Sequence, residues 1–437
     1  MTRVYLGLGS NLGDRRDNLR TAIGALGDNG STVAADSGLS VTVQRVSPII
    51  ETPALLPDDA PWEWNKPFLN LVIECDVVGS PEALLATIHR IQDSLGRDNT
   101  HRWSPRPIDI DILLWGDDII DTDALTVPHR DMHLRHFVLT PLIALAPDLT
   151  IPGRGDNTVL QWSRQLPHHI PLWMGIINVT PDSFSDGGKH HHIDNALTTI
   201  EAMINAGCNI LDLGAESTRP GADTIGADAE WKRLEPVLTA LQSQYQTELF
   251  RPKISIDTRN PSVAEKALTV GADIINDVGG LTDPAMISLA AQSSCEWVAM
   301  HSLTVPADSA VVMDTDKDPV PELLQWLQRQ ADTWQQAGIN LDRVLFDPGI
   351  GFGKDPLQSL KILQRSDQFH QTGFRLLVGH SRKSFMKSFA GSDVHERDMV
   401  TIGAAMQLCQ QGVDIIRVHN IVDHIYAYRG WAHLAER

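Results

Sequence analysis

The chain has 437 residues, 42% of them hydrophobic and 21% charged, an ordinary globular composition spread over more length than one typical core occupies. Its formal charge of −19 excludes general binding to nucleic acid or an acidic membrane surface, so any phosphate must be gripped locally by arginines, backbone amides and metal ions. The four cysteines (Cys75, Cys208, Cys295, Cys409) are scattered without a CxxC, which suggests neither a disulfide framework nor a zinc site but apolar filler in a reducing compartment.

The N-terminus, MTRVYLGLGSNLGD, places glycines, Asn11 and Asp14 where a signal peptide would have its apolar core. No apolar run approaches the roughly 20 residues of a membrane helix, and a cytoplasmic protein is expected. Strand VYLGLG, a helix over 15–26, strand FLNLVIECDV, a helix over 81–95 and strand IDIDILLW describe a compact α+β domain. Between the first helix and FLNLVIECDV, residues 51–66 carry Pro53, Pro57, Pro61, Trp62 and Trp64 and read as a long mobile loop of functional kind. Along IDIDI, side chains two apart share a face, so Asp109 and Asp111 project together while the isoleucines face the core. Such a carboxylate pair suits Mg²⁺ on nucleotide phosphates. An isolated DxD fits a plain exposed strand face equally well.

The segments IPGRGDNT and QLPHHIP mark a seam, giving expected boundaries of 1–160, a linker at 161–171 and a second domain over 172–437. Beyond it, strand-like runs end at Asn178, Ser217, Asp257, Asp277, His301, Asp347, Lys383 and His419, separated by helical stretches such as Leu323, Leu324, Leu327, Ala331, Trp334. Eight units in about 265 residues fit a (β/α)₈ TIM barrel, which presents chemistry at the carboxyl ends of its strands; a doubly wound sheet is the runner-up. The consecutive His190–His192 point in different directions and are not expected to bind metal.

The segments MGIINVTPDSFSDGG, LDLGAESTRPGA, ISIDT, IINDVGG, LFDPGIGFGK, LLVGHSRKS and IIRVHN resemble, in order, the motifs of dihydropteroate synthases, which join a pterin to p-aminobenzoate. The resemblance implies that Asp257, Asn276, Asp347 and Lys383 hydrogen-bond the pterin, with Lys383 also catalytic. It implies that Asn178, Thr218, Arg417 and His419 hold pyrophosphate, with Asn178 on Mg²⁺, and that Phe184, Arg219, Pro220, Phe352 and Ser384 shape the aminobenzoate slot. The family's Asp after the last His is Asn420 here.

In the first half, LGSNLGD, RWSPRPIDIDILLWG and LTVPHRDMHLRHFVL resemble 6-hydroxymethyl-7,8-dihydropterin pyrophosphokinases, which implies a ferredoxin-like α+β fold. There is no GxxxxGK[ST] loop, so side chains must grip the phosphates. By that resemblance Arg97, Arg106, His129, Arg135 and Trp103 bind ATP, Arg97 and Arg106 acting catalytically. Thr52, Asn70 and Phe137 would hold the pterin, and Asp109 and Asp111 would hold Mg²⁺. Two departures stand out: DNTH (98–101) replaces a basic cluster, and Gln92 replaces a glutamate.

The first reaction's product is the second's substrate, so the two resemblances together imply a bifunctional folate-biosynthesis enzyme using ATP and Mg²⁺ on small-molecule substrates. The alternative is an active synthase with a degenerate N-terminal regulatory or binding module. A third reading is a pterin-dependent methyltransferase barrel; SRKS and the fused first half disfavour it. Apolar positions on outer barrel helices would point to a homodimer through the barrel.

Overall fold

The computed structural model describes the chain except residues 28–37, 99–100, 102, 168, 180–188, 217–223, 246–247, 309, 392 and 435–437, and except the side chains of 189–194. It forms two compact units, Met1–Pro167 with Arg429–Arg437, and His168–Tyr428.

In the first unit, strands β1 (Thr2–Ser10), β2 (Ser40–Val46), β3 (Ile50–Thr52), β4 (Phe68–Val78) and β5 (Asp109–Trp115) form an antiparallel sheet of order β2-β4-β1-β5, with β3 also on β4. A small hairpin pairs β6 (Ile120–Asp121) with β7 (Thr126–Val127). β4 is buried along most of its length, as expected of an apolar strand covered on both sides. The helices Arg15–Gly27 and Pro81–Ser94 bury Leu19, Ile23 and Leu26, and Leu84, Ile88 and Ile91. A further cluster joins Tyr5, Val72 and Leu113 to Val138, Leu139 and Leu142 of helix His136–Ile143.

Two expectations need correction. Residues 51–66 are not one loop: Ile50 and Thr52 are buried as an edge strand registered on Asn70 and Phe68, and Trp62–Trp64 form a 3₁₀ turn. Nor is 161–171 all linker. The helix Val159–Ser163 runs through its start, closed by a reciprocal capping box between Thr158 and Gln161.

The second unit is a closed parallel barrel of β8 (Leu172–Asn178), β9 (Ile210–Gly214), β10 (Lys253–Asp257), β11 (Ile274–Asp277), β12 (Glu296–Met300), β13 (Val344–Asp347), β14 (Arg375–Val378) and β15 (Ile415–Val418), with β15 pairing back onto β8. Helix Pro319–Gln336 illustrates the outer layer. Asp318 caps it by accepting from Val320 N, Pro319 opens it, and Leu323, Leu327, Ala331 and Trp334 form its buried stripe. Several polar residues expected as strand termini lie on the loops instead. His301 and His419 each follow their strand by one residue, and Lys383 follows Val378 by five, beyond a turn in which Arg382 takes φ 57°. The end expected at Ser217 lies outside the described residues. At the opposite, amino ends of alternate strands, Glu296 pairs with Lys253 at 2.6 Å and with Arg375 at 2.6 Å, closing the barrel floor with charge. Among the described residues no helix is long and apolar enough to cross a membrane.

Two candidate active sites

The first unit contains a cavity of about 600 Å³ whose lining includes Thr52, Asn70, Arg97, Trp103, Arg106, Asp109, Asp111, His129, Arg135 and Phe137. Every residue named from the sequence for this half therefore converges on one space.

Local chemistry explains how each arrives there. Alternation along β5 turns Asp109 and Asp111 out of the core and buries Ile110 and Ile112, as the IDIDI pattern requires. Asp109 Oδ1 pairs with Arg97 at 2.9 Å and Oδ2 with Arg106 at 3.2 Å. His129 Nε2 lies 4.0 Å from Asp111 Oδ2, and Arg135 sits 5.7 Å above the Phe137 ring while bonding Asp131 at 2.9 Å. Asn70 Nδ2 donates to Thr52 Oγ1 at 2.9 Å, across the β3–β4 register. A side chain at Gly9 would crowd Asn70 Oδ1 at 2.9 Å, so glycine there lets Asn70 lie over β1.

Two further residues hold this site together. Asn11, just past β1, accepts from Arg106 N at 2.8 Å and donates to Lys66 O at 3.2 Å, tying the arginine loop to the Pro-rich segment. That gives LGSNLGD a structural task. Gln92, buried on its helix, accepts through Oε1 from both Ile110 N (2.9 Å) and Arg97 Nη1. An amide thus serves as anchor for strand and arginine where a glutamate was expected. The sequence marked Gln92 only as a departure from the resembled family's glutamate, not as an anchor.

Electrostatically the cavity suits a cation beside an anion. Burial pushes the Asp109 carboxyl up and its neighbour Asp111 pushes it further, while burial also raises Asp111. Arg97 keeps Nε buried without a hydrogen-bond partner among the described residues. Two adjacent hard oxygen donors that resist joint ionisation fit Mg²⁺, with phosphate oxygens completing its shell.

The second site lies at the carboxyl ends of the barrel strands. Asp257, Asn276 and Asp347, from β10, β11 and β13, are all nearly excluded from solvent. Arg417 of β15 reaches across the lumen, donating from Nε to Asp212 Oδ2 and from Nη2 to Asp257 Oδ2, each at 2.7 Å. It is therefore an ion-pair hub as well as an expected phosphate ligand. Asp347 Oδ1 accepts from Gly349 N at 2.7 Å. Gly349 has φ 67°, and a Cβ there would collide with the His301 carbonyl, so the DPG turn requires glycine.

Lys383 Nζ sits 4.4 Å over the Phe352 ring, which unites the expected pterin and aminobenzoate sides. Buried Lys354 fixes that ring's loop by donating to His301 O (2.7 Å) and Phe352 O (3.0 Å). His419 Nδ1 lies 3.0 Å from Ser381 Oγ, and Asn178 stands exposed at the end of the neighbouring strand β8, its amide oxygen a suitable hard ligand for Mg²⁺. Ser384 is exposed. Phe184, Thr218, Arg219 and Pro220 fall outside the described residues. Burial drives the Asp257 carboxyl up to about 7, against the pull of Arg417, and drives the Lys383 ammonium down to about 8.

Asp212 and Ser255 were not named from the sequence. The available signal was a lone carboxylate inside the apolar run ILDLG, on a strand buried at every residue.

Comparison with known proteins finds a family for each half of the chain. Residues 5–147 match the family described as 7,8-dihydro-6-hydroxymethylpterin-pyrophosphokinase, and residues 174–419 match the family described as pterin binding enzyme. The "Folate synthesis bifunctional protein" of Chlamydia trachomatis is 34% identical over 438 residues, covering 96% of this chain and 95% of its own. A mitochondrial protein of the same name from Arabidopsis thaliana is 34% identical over 470 residues, covering 96% and 80%. Among solved structures, the Clostridium difficile dihydropteroate synthase with pteroic acid aligns at TM-score 0.56 and 33% identity, over 62% of this chain and 99% of that one. The Xanthomonas albilineans synthase with 4-aminobenzoic acid aligns at 0.55 and 32%, over 60% and 93%.

Proposed function

The chain belongs to the bifunctional folate-synthesis family, and from that premise we propose how its two sites divide the work. The protein is a transferase with two activities. Its N-terminal half moves pyrophosphate from ATP to 6-hydroxymethyl-7,8-dihydropterin, releasing AMP, and its barrel condenses the product with p-aminobenzoate to 7,8-dihydropteroate and pyrophosphate.

In the first site, Asn70, Thr52 and Phe137 hold the pterin so that its hydroxymethyl oxygen faces the β-phosphorus of ATP. Arg97, Arg106, His129 and Arg135 bind the triphosphate and stabilise the charge that shifts onto departing AMP, and Trp103 covers the nucleotide. Mg²⁺ held by Asp109 and Asp111 would neutralise phosphate charge and fix the in-line geometry.

In the barrel, Asp257, Asp347 and the Asn276 carbonyl accept from the donor-rich pterin edge, and Lys383 donates to its ring carbonyl. The bond from the pterin methylene to pyrophosphate breaks first, its electron pair leaving with the phosphate and a delocalised cation remaining. Arg417, His419 and Thr218 hold the leaving group, and Asn178 would ligate Mg²⁺, whose charge would offset that of the departing pyrophosphate. Phe184, Arg219, Pro220, Phe352 and Ser384 orient the amine, whose nitrogen forms the new C–N bond and releases one proton. No activating base is required, because an aniline nitrogen is already a neutral nucleophile.

The observation that carries this reading is the one cavity that gathers two β5 carboxylates, the side chains of Arg97, Arg106, His129 and Arg135, and the Asn70–Thr52 pair. It also weighs against a degenerate N-terminal module. We place the enzyme in the cytoplasm, supported by four free cysteines. Pairing of barrels into a homodimer is part of the same proposal, and Val394, Met399 and Tyr426 are exposed on the outer helices. The test supplies ATP, Mg²⁺, hydroxymethyldihydropterin and p-aminobenzoate to the purified chain. Dihydropteroate should form, should vanish in Asp109→Ala/Asp111→Ala, and should return when pyrophosphorylated pterin is added. Failure of the parent chain even with that pterin would refute the synthase half.

A further inference from the structure

Asp212 is fully buried in the barrel lumen, on β9, and its two oxygens collect bonds from three other strands. Ser255 Oγ of β10 donates to Oδ1 at 2.6 Å, Asn276 Nδ2 of β11 donates at 3.3 and 3.4 Å, and Arg417 Nε of β15 donates to Oδ2 at 2.7 Å. A carboxylate removed from water at this depth persists only if such donors surround it. Here two of the three belong to the ligand-binding groups.

Each donation leaves a defined remainder. With Nδ2 committed to Asp212, the Asn276 amide has its carbonyl oxygen left to offer, an acceptor, which is the polarity that the donor-rich edge of a pterin needs. With Nε on Asp212 and Nη2 on Asp257, the guanidinium of Arg417 is locked in plane, and Nη1 is the end left for a phosphate oxygen. Ser255 fixes Asp212 itself from the neighbouring strand.

We propose that Asp212 is a positioning residue of the synthase site: it sets the Asn276 amide with its acceptor toward the pterin and aims Arg417 at the pyrophosphate, touching neither ligand itself. This rests on the barrel site being the pterin site of the synthase reaction. Asp212 thereby couples recognition of ring and leaving group, two parts of one substrate. Its removal must weaken the pterin substrate and leave p-aminobenzoate, bound on the Phe352 side, nearly unaffected.

The experiment is steady-state kinetics on the full chain carrying Asp212→Asn, supplied with pyrophosphorylated pterin and p-aminobenzoate. An asparagine of the same shape cannot accept from all three donors, and the Asn276 amide is then free to turn its NH₂ outward. The expected result is a KM for the pterin substrate raised about tenfold or more, with the p-aminobenzoate KM within about twofold. The double variant Asp212→Asn/Asn276→Asp restores a hydrogen bond of reversed direction while keeping an acceptor outward, and should recover most of the lost pterin affinity. Equal rises in both KM values, or no rescue by the double variant, would show that Asp212 only holds the barrel together. If Asp212→Asn does not fold, Ser255→Ala decides, because it loosens the carboxylate from the side remote from ligand. A pterin KM raised about threefold supports the proposal, and an unchanged one overturns it. A parent chain making no dihydropteroate sinks the synthase reading itself; an active parent with unaltered variants sinks this assignment alone.

Discussion

Arg417 Nη2 donates to Asp257 Oδ2 at 2.7 Å, so a residue expected to grip the leaving group is bonded directly to one expected to grip the pterin. A lysine in its place reaches one of the two carboxylates but lacks the planar fork that spans both. Arg417→Lys should therefore lower kcat/KM for the pterin substrate by about 100-fold, the scale of breaking a buried charge pair. AMP formation by the first half should stay at the parent rate. Loss of both activities together would show that the substitution acts through folding.

Gln92 gives a second test. Gln92→Leu keeps the volume but leaves the buried Ile110 N–H without its acceptor and releases Arg97. The stranded donor should destabilise the N-terminal unit by about 1–3 kcal/mol, read from its thermal unfolding, and AMP formation should fall with it. Gln92→Glu can still accept from both groups and adds charge beside Arg97, so its AMP formation should equal or exceed the parent's. A Leu variant as stable and active as the parent would refute the anchoring role.

These residues show what the sequence made legible. Asp109 and Asp111 could be read because a strand has period two, the Asp257 and Asp347 ends because apolar runs stop there, and Asn276 through the motif resemblance. Gln92, Asp212 and Ser255 could not, because their meaning lies in partners 18, 64 and 43 positions away. Sequence spacing carries no information on such contacts until the sheet registers are known. The edge strand Ile50–Thr52 escaped for the opposite reason. Its local signal is three residues long and is overshadowed by the prolines that follow, while its pairing with β4 decides its state.

The barrel floor yields a stability prediction with a defined pH window. Burial pushes the Glu296 carboxyl up, but Arg375 and Lys253 outweigh it and hold it down at about 2. A carboxyl whose folded value lies below its unfolded one contributes stability that is fully present above about pH 4.5 and disappears as pH falls toward 2. Glu296→Gln strands the buried Arg375 cation and should remove about 3 kcal/mol at pH 6, with the gap between parent and variant closing in acid. Denaturant unfolding at pH 6 and pH 3 checks this, and a gap independent of pH would contradict it.

The last prediction joins the two titrating groups of the synthase site. Burial lifts the Asp257 carboxyl to about 7; Asp212, Glu230 and Asp277 push the same way and Arg417 opposes them. Burial lowers the Lys383 ammonium to about 8; Arg417 adds to this, while Asp347 and Asp257 resist it. The proposed roles need Asp257 ionised to accept and Lys383 protonated to donate. Below about pH 7 the carboxylate is lost, and above about pH 8 the ammonium is lost, so kcat/KM for the pterin substrate should follow a narrow bell between these values. The Asp257 shift has its own stability sign. The unfolded chain gives up this proton near 3.8 and the folded chain keeps it to about 7, so the group's contribution weakens as pH rises across that interval and is constant above it. Lys383→Arg assigns the alkaline limb, because a guanidinium does not titrate in this range: the variant's rate should be lower but flat above pH 8. A parent profile level from about pH 6 to 9 would mean that neither group changes charge in the working enzyme, and the assigned donor and acceptor roles would fall together.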